Sequence, residues 1–465
     1  MNTSEIEKVR LNPEQYQAVN TLEGPVLVIA GPGTGKTQVL SLRIANILQK
    51  TDALPANILC LTFTESGVSA MRERLLRYIG TEAYYVKIHT FHSFCNEVIL
   101  SNPNKFSFSR DLKQLDDLNK VKVMREVLDS LPQDTKHTLK PLHDAYFYQN
   151  QILNGIQTLK REGISPEELL KRTQEIIQNL DANPDINKKT GKPKLQWQTE
   201  YQKQQKNLEL YELYAKYQEV IKEKGFYDYE DMILYVINKF EEDKDLLAEN
   251  QEKYLYVLVD EYQDTNGSQN QLLRLLGSFD KSPNIFAVGD DDQAIYRFQG
   301  ANVENLLFFT KEFENVKTIT LTKNYRSSQA ILDISQSLVE KNTMRLSNLV
   351  KDIQKNLKAE SGIANEQTEV YEFKDGEYEV RFITEKIKEL NEAGVAYSDI
   401  AVFYRNHSDS EDLINTMLKK QIPFKLAAGS NALNEIIIQQ FLNLLKTIMY
   451  TDQDREFILF KILFY

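Results

Sequence analysis

One stretch near the amino terminus constrains the fold more than any other. Residues Val26–Ile29 form a short apolar run that predicts a buried strand, and a glycine-rich turn from Ala30 to Thr37 follows it directly. The next eleven positions predict a helix, because apolar side chains recur on one face at Val39, Leu40, Ile44, Ile47 and Leu48. Strand, glycine turn, Gly-Lys-Thr and helix together predict a phosphate-binding loop. An ordinary Gly/Pro turn is the alternative, and the two flanking elements argue against it.

The chemistry of this loop follows from its residue types. Glycines let backbone N–H groups turn toward phosphate oxygens, and the helix amino terminus adds partial positive charge. Lys36 would reach the β- and γ-phosphates, and the Thr37 hydroxyl would bind Mg²⁺. Alanine stands where the first glycine of such loops is usual, and its small side chain leaves the loop intact. The residues expected around the phosphates are Ala30, Gly31, Pro32, Gly33, Thr34, Gly35, Lys36 and Thr37.

Two later predicted strands are followed by polar side chains that we expect to lie beside this loop. Tyr254–Val259 is apolar and is followed by Asp260 and Glu261. Ligands bind at the carboxyl ends of strands in doubly wound sheets, so Asp260 would hold Mg²⁺ and Glu261 would activate the attacking water. The next such strand reaches Val288 and is followed by Gln293, a candidate contact for a γ-phosphate or the catalytic water.

Three further assignments have a functional and a structural alternative. Gln15, on a helix predicted to be capped by Asn12, could read adenine or face water. Tyr296 and Phe298 lie two residues apart and could stack unpaired bases or pack in the core. Arg326 is a candidate arginine finger or a surface arginine.

The basic loop with Lys188, Lys189, Lys192 and Lys194 is interpreted as solvated rather than as a phosphate contact.

The bulk composition fits a multidomain globular protein of 465 residues. Its 56 basic and 67 acidic residues give a net charge of −11, which argues against indiscriminate polyanion binding but permits a local nucleic-acid groove. Two cysteines in apolar surroundings, Cys60 and Cys95, predict a reducing cytoplasm. No apolar run approaches the roughly 18 residues that span a bilayer, so no membrane partner is expected.

The order of elements predicts an α/β fold with a parallel sheet covered by helices. Ile58–Phe63 is a predicted strand, and Val86–Phe94 is predicted as a further strand that leads into a turn, with a helix from Thr64 to Leu75 between them. Residues 96–225 lose the strand pattern and predict a helical insertion. After residue 330 a second α/β unit is predicted, with helices at 377–393, 408–420 and 433–450 and strands at Val370–Phe373, Asp399–Tyr404 and Pro423–Leu426.

The motifs, in this order, resemble those of the UvrD/Rep/PcrA family of superfamily 1 DNA helicases. Leu11–Val19 is similar to the family's Q motif, and Ala30–Thr37 is similar to its Walker A motif. The remaining resemblances are Thr62–Thr64 (Ia), Thr90–His92 (Ib), Val259–Asp264 (Walker B), Gly289–Tyr296 (III) and Asn324–Ser327 (IV).

The resemblance implies a role for each matched residue. Gln15 would read adenine and Tyr325 would stack on it, while Arg326 and Gln293 would sense the γ-phosphate. Single-stranded DNA would contact Phe63, Thr64, Thr90, His92, Tyr296 and Phe298. The implied domains are a first RecA-like ATP-binding domain (1–95 and 226–329), a helical insertion (96–225) and an incomplete second RecA-like domain (330–465).

The sequence departs from the family at several places. Gln38 stands where members often carry arginine, and Phe298-Gln299 replaces a usual Trp-Arg pair. Nothing matches motifs V and VI, which supply a second arginine finger and further DNA contacts. The chain closes on an apolar run, 457–465, so we expect a truncated amino-terminal portion whose end is covered by a partner or by further chain.

The resemblance implies that the intact parent is an ATP hydrolase that uses ATP and Mg²⁺ to move 3′ to 5′ on single-stranded DNA and at duplex junctions, as a UvrD-like helicase, and that this chain is its amino-terminal part. Without a second arginine finger, hydrolysis would be impaired, because such a finger typically raises the rate by about 10³–10⁵. One alternative is a nucleotide-dependent DNA-binding module with weak ATPase and no unwinding. Another is a phosphate-loop ATPase with no DNA partner.

Overall fold

The structure, a computed structural model, forms two compact units, residues 1–367 and 368–465. It describes residues 10–106, 113–132, 137–186, 193–294, 303–342, 345, 355–365 and 368–426, with the isolated positions 438, 441 and 445. Four expectations therefore lie wholly or mainly outside the described residues: Tyr296 and Phe298, Lys188, Lys189 and Lys192 of the basic loop, the helix at 433–450, and the apolar run at 457–465.

The first unit is built on a parallel sheet of six strands, and four shorter strands form two pairs beside it. The strands are β1 (Val26–Ala30), β2 (Ile58–Thr62), β3 (Lys87–Thr90), β4 (Lys113–Gln114), β5 (Phe226–Tyr227), β6 (Tyr256–Val259), β7 (Ile285–Gly289), β8 (Lys317–Leu321), β9 (Lys323–Asn324) and β10 (Lys358–Ala359). The order across the large sheet is β3-β2-β6-β7-β1-β8. Val28 is paired with Val288 on one side and with Ile319 on the other, which fixes the register of β1.

Helices cover both faces of this sheet, as the sequence predicted. The helices of the described residues in the first unit are α1 (Pro13–Asn20), α2 (Lys36–Lys50), α3 (Glu65–Ile79), α4 (Phe91–Ser101), α5 (Asp117–Asp129), α6 (Gln149–Arg161), α7 (Pro166–Ala182), α8 (Leu195–Glu223), α9 (Asp231–Glu242), α10 (Lys244–Lys253), α11 (Gly267–Gly277), α12 (Val303–Glu312) and α13 (Gln329–Val339). The second unit contains α14 (Gly376–Glu392) and α15 (Glu411–Lys419). Within the described parts of the chain, none of the helices is long and apolar enough to cross a membrane.

Alternation along the strands divides the apolar residues between two cores. Leu27 and Ile29 of β1 face one core, and Val26, Val28 and Ala30 face the other. Successive side chains of a strand point to opposite faces, so a strand buried on both faces must be apolar throughout. This explains why β1, β2, β6 and β7 read as continuous apolar runs.

The position of β1 determines where a ligand site can form. β1 lies between β7 and β8, whereas the next strand in sequence, β2, lies beyond β6. The connection that leaves β1 runs past β7 and β6 to β2, whereas the connection that leaves the neighbouring β7 runs the opposite way to β8. Crevices at such switch points are the usual ligand sites of open parallel sheets. The loop after β1 opens at this crevice.

The element after β3 differs from the prediction. The expected strand Val86–Phe94 ends at Thr90, and helix α4 starts at Phe91. The reason is local, because the Thr90 hydroxyl accepts a hydrogen bond from the Ser93 N–H at 3.1 Å and so caps the helix.

Between β3 and β6 the described chain is mostly helical, and part of it has a core separate from those of the sheet. Helices α5, α6 and α8 bury Met124, Val127, Ile156, Tyr214 and Tyr217 together. The Nζ atom of Lys160 is fully buried and lies 2.7 Å from Asp228 and 2.8 Å from Asp231. This buried ion pair joins α6 to the segment in front of α9.

In the described part of the second unit, two of the three predicted helices form and the predicted strands do not. Helices α14 and α15 pack through Ile387, Leu413 and Met417. Residues 370–373, 399–404 and 423–426, predicted as strands, have no strand assignment. A strand needs a neighbour for its backbone groups, and within 368–426 these segments have none: Val370 is 92% exposed and Phe403 is 93% exposed.

Candidate nucleotide and nucleic-acid sites

The loop after β1 and the segments after β6, β7 and β8 line one polar cavity of about 490 Å³. Its lining residues are Pro32, Gly33, Gly35, Lys36, Thr37, Gln38, Arg74, Arg77, Tyr78, Glu261, Gln293, Tyr325 and Arg326. Residues nearly 300 positions apart in the sequence thus meet at the carboxyl edge of the sheet. The candidates Lys36, Thr37, Glu261, Gln293 and Arg326 all reach this cavity.

Backbone geometry explains the glycines of the loop. Gly33 and Gly35 have φ angles of +69° and +89°, which other residues rarely adopt. A Cβ atom added at Gly33 would lie only 2.7 Å from the Cβ atom of Arg326 and 2.7 Å from Nδ2 of Asn324. These glycines therefore allow the loop to turn and the segment after β8 to pack against it.

The amine of Lys36 forms an ion pair with Glu261. Nζ of Lys36 lies 2.6 Å from Oε2 of Glu261, and the lysine side chain is only 10% exposed. Glu261 has a left-handed backbone with φ +50°, unusual for a residue with a side chain. Such strain, typically about 1–3 kcal/mol, is concentrated at functional sites, and here it accompanies a carboxylate at the end of β6.

Asp260 precedes this carboxylate and is almost fully buried. Burial, together with the nearby charge of Glu261, raises the pKa of Asp260 to about 6, while Lys36 opposes the shift. One carboxylate oxygen accepts a hydrogen bond from the N–H of Glu261 at 3.0 Å. The hydroxyl of Thr37 and this carboxylate are hard oxygen donors, so they suit Mg²⁺.

Gln15 is fixed against the phosphate-binding loop. Its Nε2 donates to the carbonyl oxygen of Thr34 at 2.9 Å, and its Oε1 accepts from the N–H of Asn12 at 3.2 Å. The predicted capping by Asn12 is confirmed, because the Asn12 side chain accepts from the N–H of Gln15. One amide hydrogen and one lone pair of Gln15 are not used by these bonds.

The segment after β7 brings Gln293 to the cavity. Gln293 ends a short 3₁₀ turn, Asp291–Gln293, and its Nε2 donates to the buried carboxylate of Asp290. Burial raises the pKa of Asp290, and the amine of Lys355 opposes that shift. The hydrogen bond to the buried carboxylate of Asp290 therefore holds the side-chain amide of Gln293.

Tyr325 and Arg326 approach from the end of β9. The N–H of Tyr325 donates to the carbonyl oxygen of Gly33 at 2.9 Å, and the Tyr325 hydroxyl accepts from Nδ2 of Asn12 at 3.1 Å. The Tyr325 side chain is 45% exposed, so its ring is open to a stacking partner. Asn324 holds this turn by accepting from the N–H of Arg326 at 2.9 Å.

A second cavity, of about 240 Å³, lies beside the ends of β2 and β3 and is lined in part by Phe63 and His92. The ring of His92 stacks on Tyr229 at 3.7 Å, and burial lowers the pKa of His92 to about 4, so the ring is neutral near pH 7. Its Nε2 is buried and has no hydrogen-bond partner among the described residues. Phe63 is 42% exposed.

Thr64 and Thr90 serve as helix caps. The Thr64 hydroxyl accepts from the N–H of Gly67 at 3.0 Å at the start of α3. Thr90, which caps α4, also donates from its hydroxyl to Glu65 at 3.2 Å. Both therefore have structural roles and lie at the sheet edge that carries Phe63 and His92.

Comparison with known proteins decides the family. The UvrD/REP helicase N-terminal domain matches residues 11–314, and the UvrD-like helicase C-terminal domain matches residues 319–463. The chain belongs to the UvrD-like helicase family. It is 31% identical to the ATP-dependent DNA helicase PcrA of Staphylococcus epidermidis and 30% identical to that of Staphylococcus aureus, in each case over 444 residues.

These alignments cover 96% of this chain and 54% of each relative. The chain therefore spans about half the length of the curated PcrA proteins that it matches. The resemblance expected from the motifs is confirmed at the level of the family, and the parallel sheet agrees with it.

Several cavity residues of this UvrD-like chain were missed by sequence reasoning. Arg74, Arg77 and Tyr78 of α3 line the first cavity beside Gln38. A signal existed, because Arg74 and Arg77 lie three residues apart and so share a helix face. Arg43 of α2, which lines neither cavity, was also missed: it is 1% exposed and donates to the carbonyl oxygens of Ala18 and Leu22.

Proposed function

We propose that this chain binds ATP with Mg²⁺ in the 490 Å³ cavity and couples hydrolysis to 3′-to-5′ movement on single-stranded DNA. The observation that carries the proposal is the convergence of the phosphate-binding loop, Glu261, Gln293 and Arg326 on one polar cavity. The names of the PcrA relatives, which describe ATP-dependent DNA helicases, support the same reaction.

Each side chain has a role that follows from its chemistry. Backbone N–H groups and Lys36 would hold the phosphates, and Thr37 and Asp260 would hold Mg²⁺, which neutralises charge that develops on the phosphate oxygens. Glu261 would accept a proton from the attacking water. Phosphate would compete with Glu261 for the amine of Lys36 and so release the carboxylate for that task.

The remaining ATP contacts are also proposals. Gln293 and Arg326 would contact the γ-phosphate, because both line the same cavity as Lys36 and Thr37. Tyr325 would stack on adenine, and Gln15 would read its edge with the amide hydrogen and lone pair left over from its bonds to the loop.

Single-stranded DNA is proposed to contact Phe63 and His92 together with Thr64 and Thr90. The exposed ring of Phe63 supports this assignment, because bases offer a face for stacking. Tyr296 and Phe298 are proposed to extend the same stacking surface.

We also propose that the chain contains a first RecA-like ATP-binding domain (1–95 and 226–329), a helical insertion (96–225) and an incomplete second RecA-like domain (330–465). In the structure, residues 330–367 group with the first unit. Two buried free cysteines, Cys60 and Cys95, favour a reducing compartment such as the cytoplasm.

ATP turnover by the purified chain, with and without single-stranded DNA, tests the proposal. We expect turnover that DNA stimulates and that Lys36→Ala abolishes. Partial duplexes with a 3′ or a 5′ tail then test direction, and only the 3′-tailed substrate should be unwound. ATPase activity that no DNA stimulates would contradict the coupling.

A second candidate is a nucleotide-dependent DNA-binding module with little hydrolysis. Translocation needs two domains that close around ATP, yet residues 368–426 contain no strand. This candidate predicts nucleotide-dependent DNA affinity without unwinding, and Tyr296→Ala should weaken that affinity.

A further inference from the structure

A buried lysine from outside the recognised motifs occupies the acidic cluster behind Gln293. The amine of Lys355, with its side chain 3% exposed, contacts Asp290, lies 2.9 Å from Asp291 and lies 2.8 Å from Asp292. Oxygens of these three carboxylates lie within 4.8 Å of one another, an arrangement that would suit a metal ion. The ammonium group of Lys355 takes that place.

The electrostatics of the cluster keep this lysine charged. Burial disfavours its charge, but the three carboxylates outweigh burial and hold the pKa of Lys355 above its ordinary value. Arg345 supplies a second cation and donates to Asp292 at 2.8 and 2.9 Å. A buried charge that loses its partner is strongly unfavourable, so Asp290 and Asp291 depend on Lys355, whereas Arg345 contacts only Asp292 of the three carboxylates.

The cluster is connected to the catalytic carboxylate through hydrogen bonds. Asp290 accepts from Nε2 of Gln293 and, through its own N–H, donates to Oε1 of Gln263 at 2.9 Å. Nε2 of Gln263 donates to Oε2 of Glu261 at 2.8 Å, and Glu261 holds Lys36. Hydrogen bonds therefore connect Lys36 to Gln293 by way of Glu261, Gln263 and Asp290. Lys355 contacts the carboxylate of Asp290 in this series.

The segment that carries Lys355 also packs on the phosphate-binding loop. It leads into β10, in which Ala359 pairs with Asn324 immediately before Tyr325. A Cβ atom added at Gly31 would lie 2.8 Å from the side chain of Leu357. Lys355 thus belongs to a segment that is in contact with two walls of the ATP cavity.

We propose that Lys355 is a positioning residue that fixes Asp290 and, through it, the amide of Gln293 toward the γ-phosphate. This inference rests on the proposed function, since it presumes that ATP binds in the cavity. Lys355 touches no reacting atom, and its effect is transmitted by the carboxylate that it shares with Gln293. Without the ammonium group, the buried Asp290 would lose its charge partner and Gln293 its fixed orientation.

The test compares affinities for a non-hydrolysable ATP analogue and for ADP in the 465-residue chain and its Lys355→Ala variant. Only the ATP analogue presents a γ-phosphate, so we expect its affinity to fall about tenfold, the size of one lost charge-assisted hydrogen bond, while ADP binds within about twofold. Arg345→Gln is the matched control: it removes a cation from the same cluster but leaves Asp290 and Gln293 paired, and the preference for ATP should persist.

A double-mutant cycle separates positioning from general destabilisation. In a Gln293→Ala background, Lys355→Ala should cause no further loss of ATP preference, because its route of action is already gone. Additive losses would overturn the inference, and so would an unchanged ATP preference in Lys355→Ala. If the unmodified chain binds neither nucleotide, the proposed function fails; if it binds both and the cycle is additive, only the role of Lys355 fails.

Discussion

The amine of Lys36 and the carboxylate of Glu261 lie 2.6 Å apart, although 225 positions separate them in the sequence. One belongs to the loop after β1 and the other to the turn after β6, so the parallel sheet brings them together. The pair joins the group that should bind phosphate to the group that should activate water. Binding of phosphate and release of the base are therefore linked by competition for one amine.

Replacement of Glu261 should separate binding from hydrolysis. Glu261→Gln removes the proposed base and the charge that competes for Lys36, so we expect turnover to fall at least about 100-fold while affinity for ATP is maintained or improved. Single-turnover hydrolysis and equilibrium binding of a fluorescent ATP analogue measure the two effects.

A second lysine–carboxylate pair provides the control for this prediction. Lys87 and Glu97 lie 2.8 Å apart, and neither residue lines the ATP cavity. Glu97→Gln should leave both turnover and affinity within about twofold. Equal losses in the two variants would refute the role assigned to Glu261.

Magnesium-dependent nucleotide binding should weaken in mild acid. The pKa of Asp260, raised to about 6 by burial, means that this carboxylate gains a proton as the pH falls from 7 to 5. A protonated carboxylate is a poor Mg²⁺ ligand, so the Mg²⁺ concentration needed for half-maximal ATP binding should rise about tenfold over that range. Titrations of Mg²⁺ at several pH values measure this directly.

Asp264 offers a matched control for the pH effect. Burial also raises the pKa of Asp264 to about 6, but this residue lines the second cavity rather than the first. Asp264→Asn should therefore retain the acid sensitivity, whereas Asp260→Asn should bind Mg²⁺ weakly at every pH. Loss of the pH dependence in Asp264→Asn would reassign the titrating group.

The local sequence pattern predicted the structure correctly where a single short segment determines it. Val26–Thr37 specifies a strand, a turn and a helix start within twelve positions, and all three form. Lys355 and Arg43 show the limit, because a lysine or an arginine in a helix-rich sequence looks like a solvated side chain. Their burial depends on carboxylates or carbonyl groups supplied by other elements, which no local pattern reveals.

The strands predicted at 370–373 and 399–404 also show that a local pattern does not reveal the partners that an element needs. Their apolar and aromatic residues have strand propensity, but propensity acts only where a neighbouring strand supplies backbone partners. In contrast, α14 forms as predicted because its hydrogen bonds are internal and its amino terminus is capped by Asp375.

Arg43 should be a major contributor to the stability of the first unit. Its guanidinium donates to carbonyl oxygens at the end of α1, at Ala18, Thr21 and Leu22, and it lies 4.4 Å from the ring centre of Phe286. Arg43→Ala would leave buried carbonyl groups unpaired, so we expect the free energy of unfolding to fall by about 2–4 kcal/mol. Urea unfolding of the chain measures the loss.

An exposed arginine serves as the comparison for Arg43. Arg172 pairs with Glu168 four residues earlier on α7, and both side chains are largely exposed. Arg172→Ala should change the free energy of unfolding by less than about 0.5 kcal/mol. If the two alanine variants unfold at the same urea concentration, the carbonyl contacts of Arg43 do not stabilise the fold.

Phe63 provides the test of the nucleic-acid surface. Its exposed ring follows β2 and borders the cavity that contains His92, so Phe63→Ala should remove one stacking contact. Such a contact is typically worth about 1–3 kcal/mol, which predicts a loss of about 5- to 100-fold in affinity for single-stranded DNA with unchanged ATP binding. Phe279→Ala, which removes a ring that is 54% exposed and borders neither cavity, should leave DNA affinity intact. Fluorescence anisotropy with a labelled oligonucleotide at fixed salt compares the two variants, and equal affinities would exclude Phe63 from the DNA path.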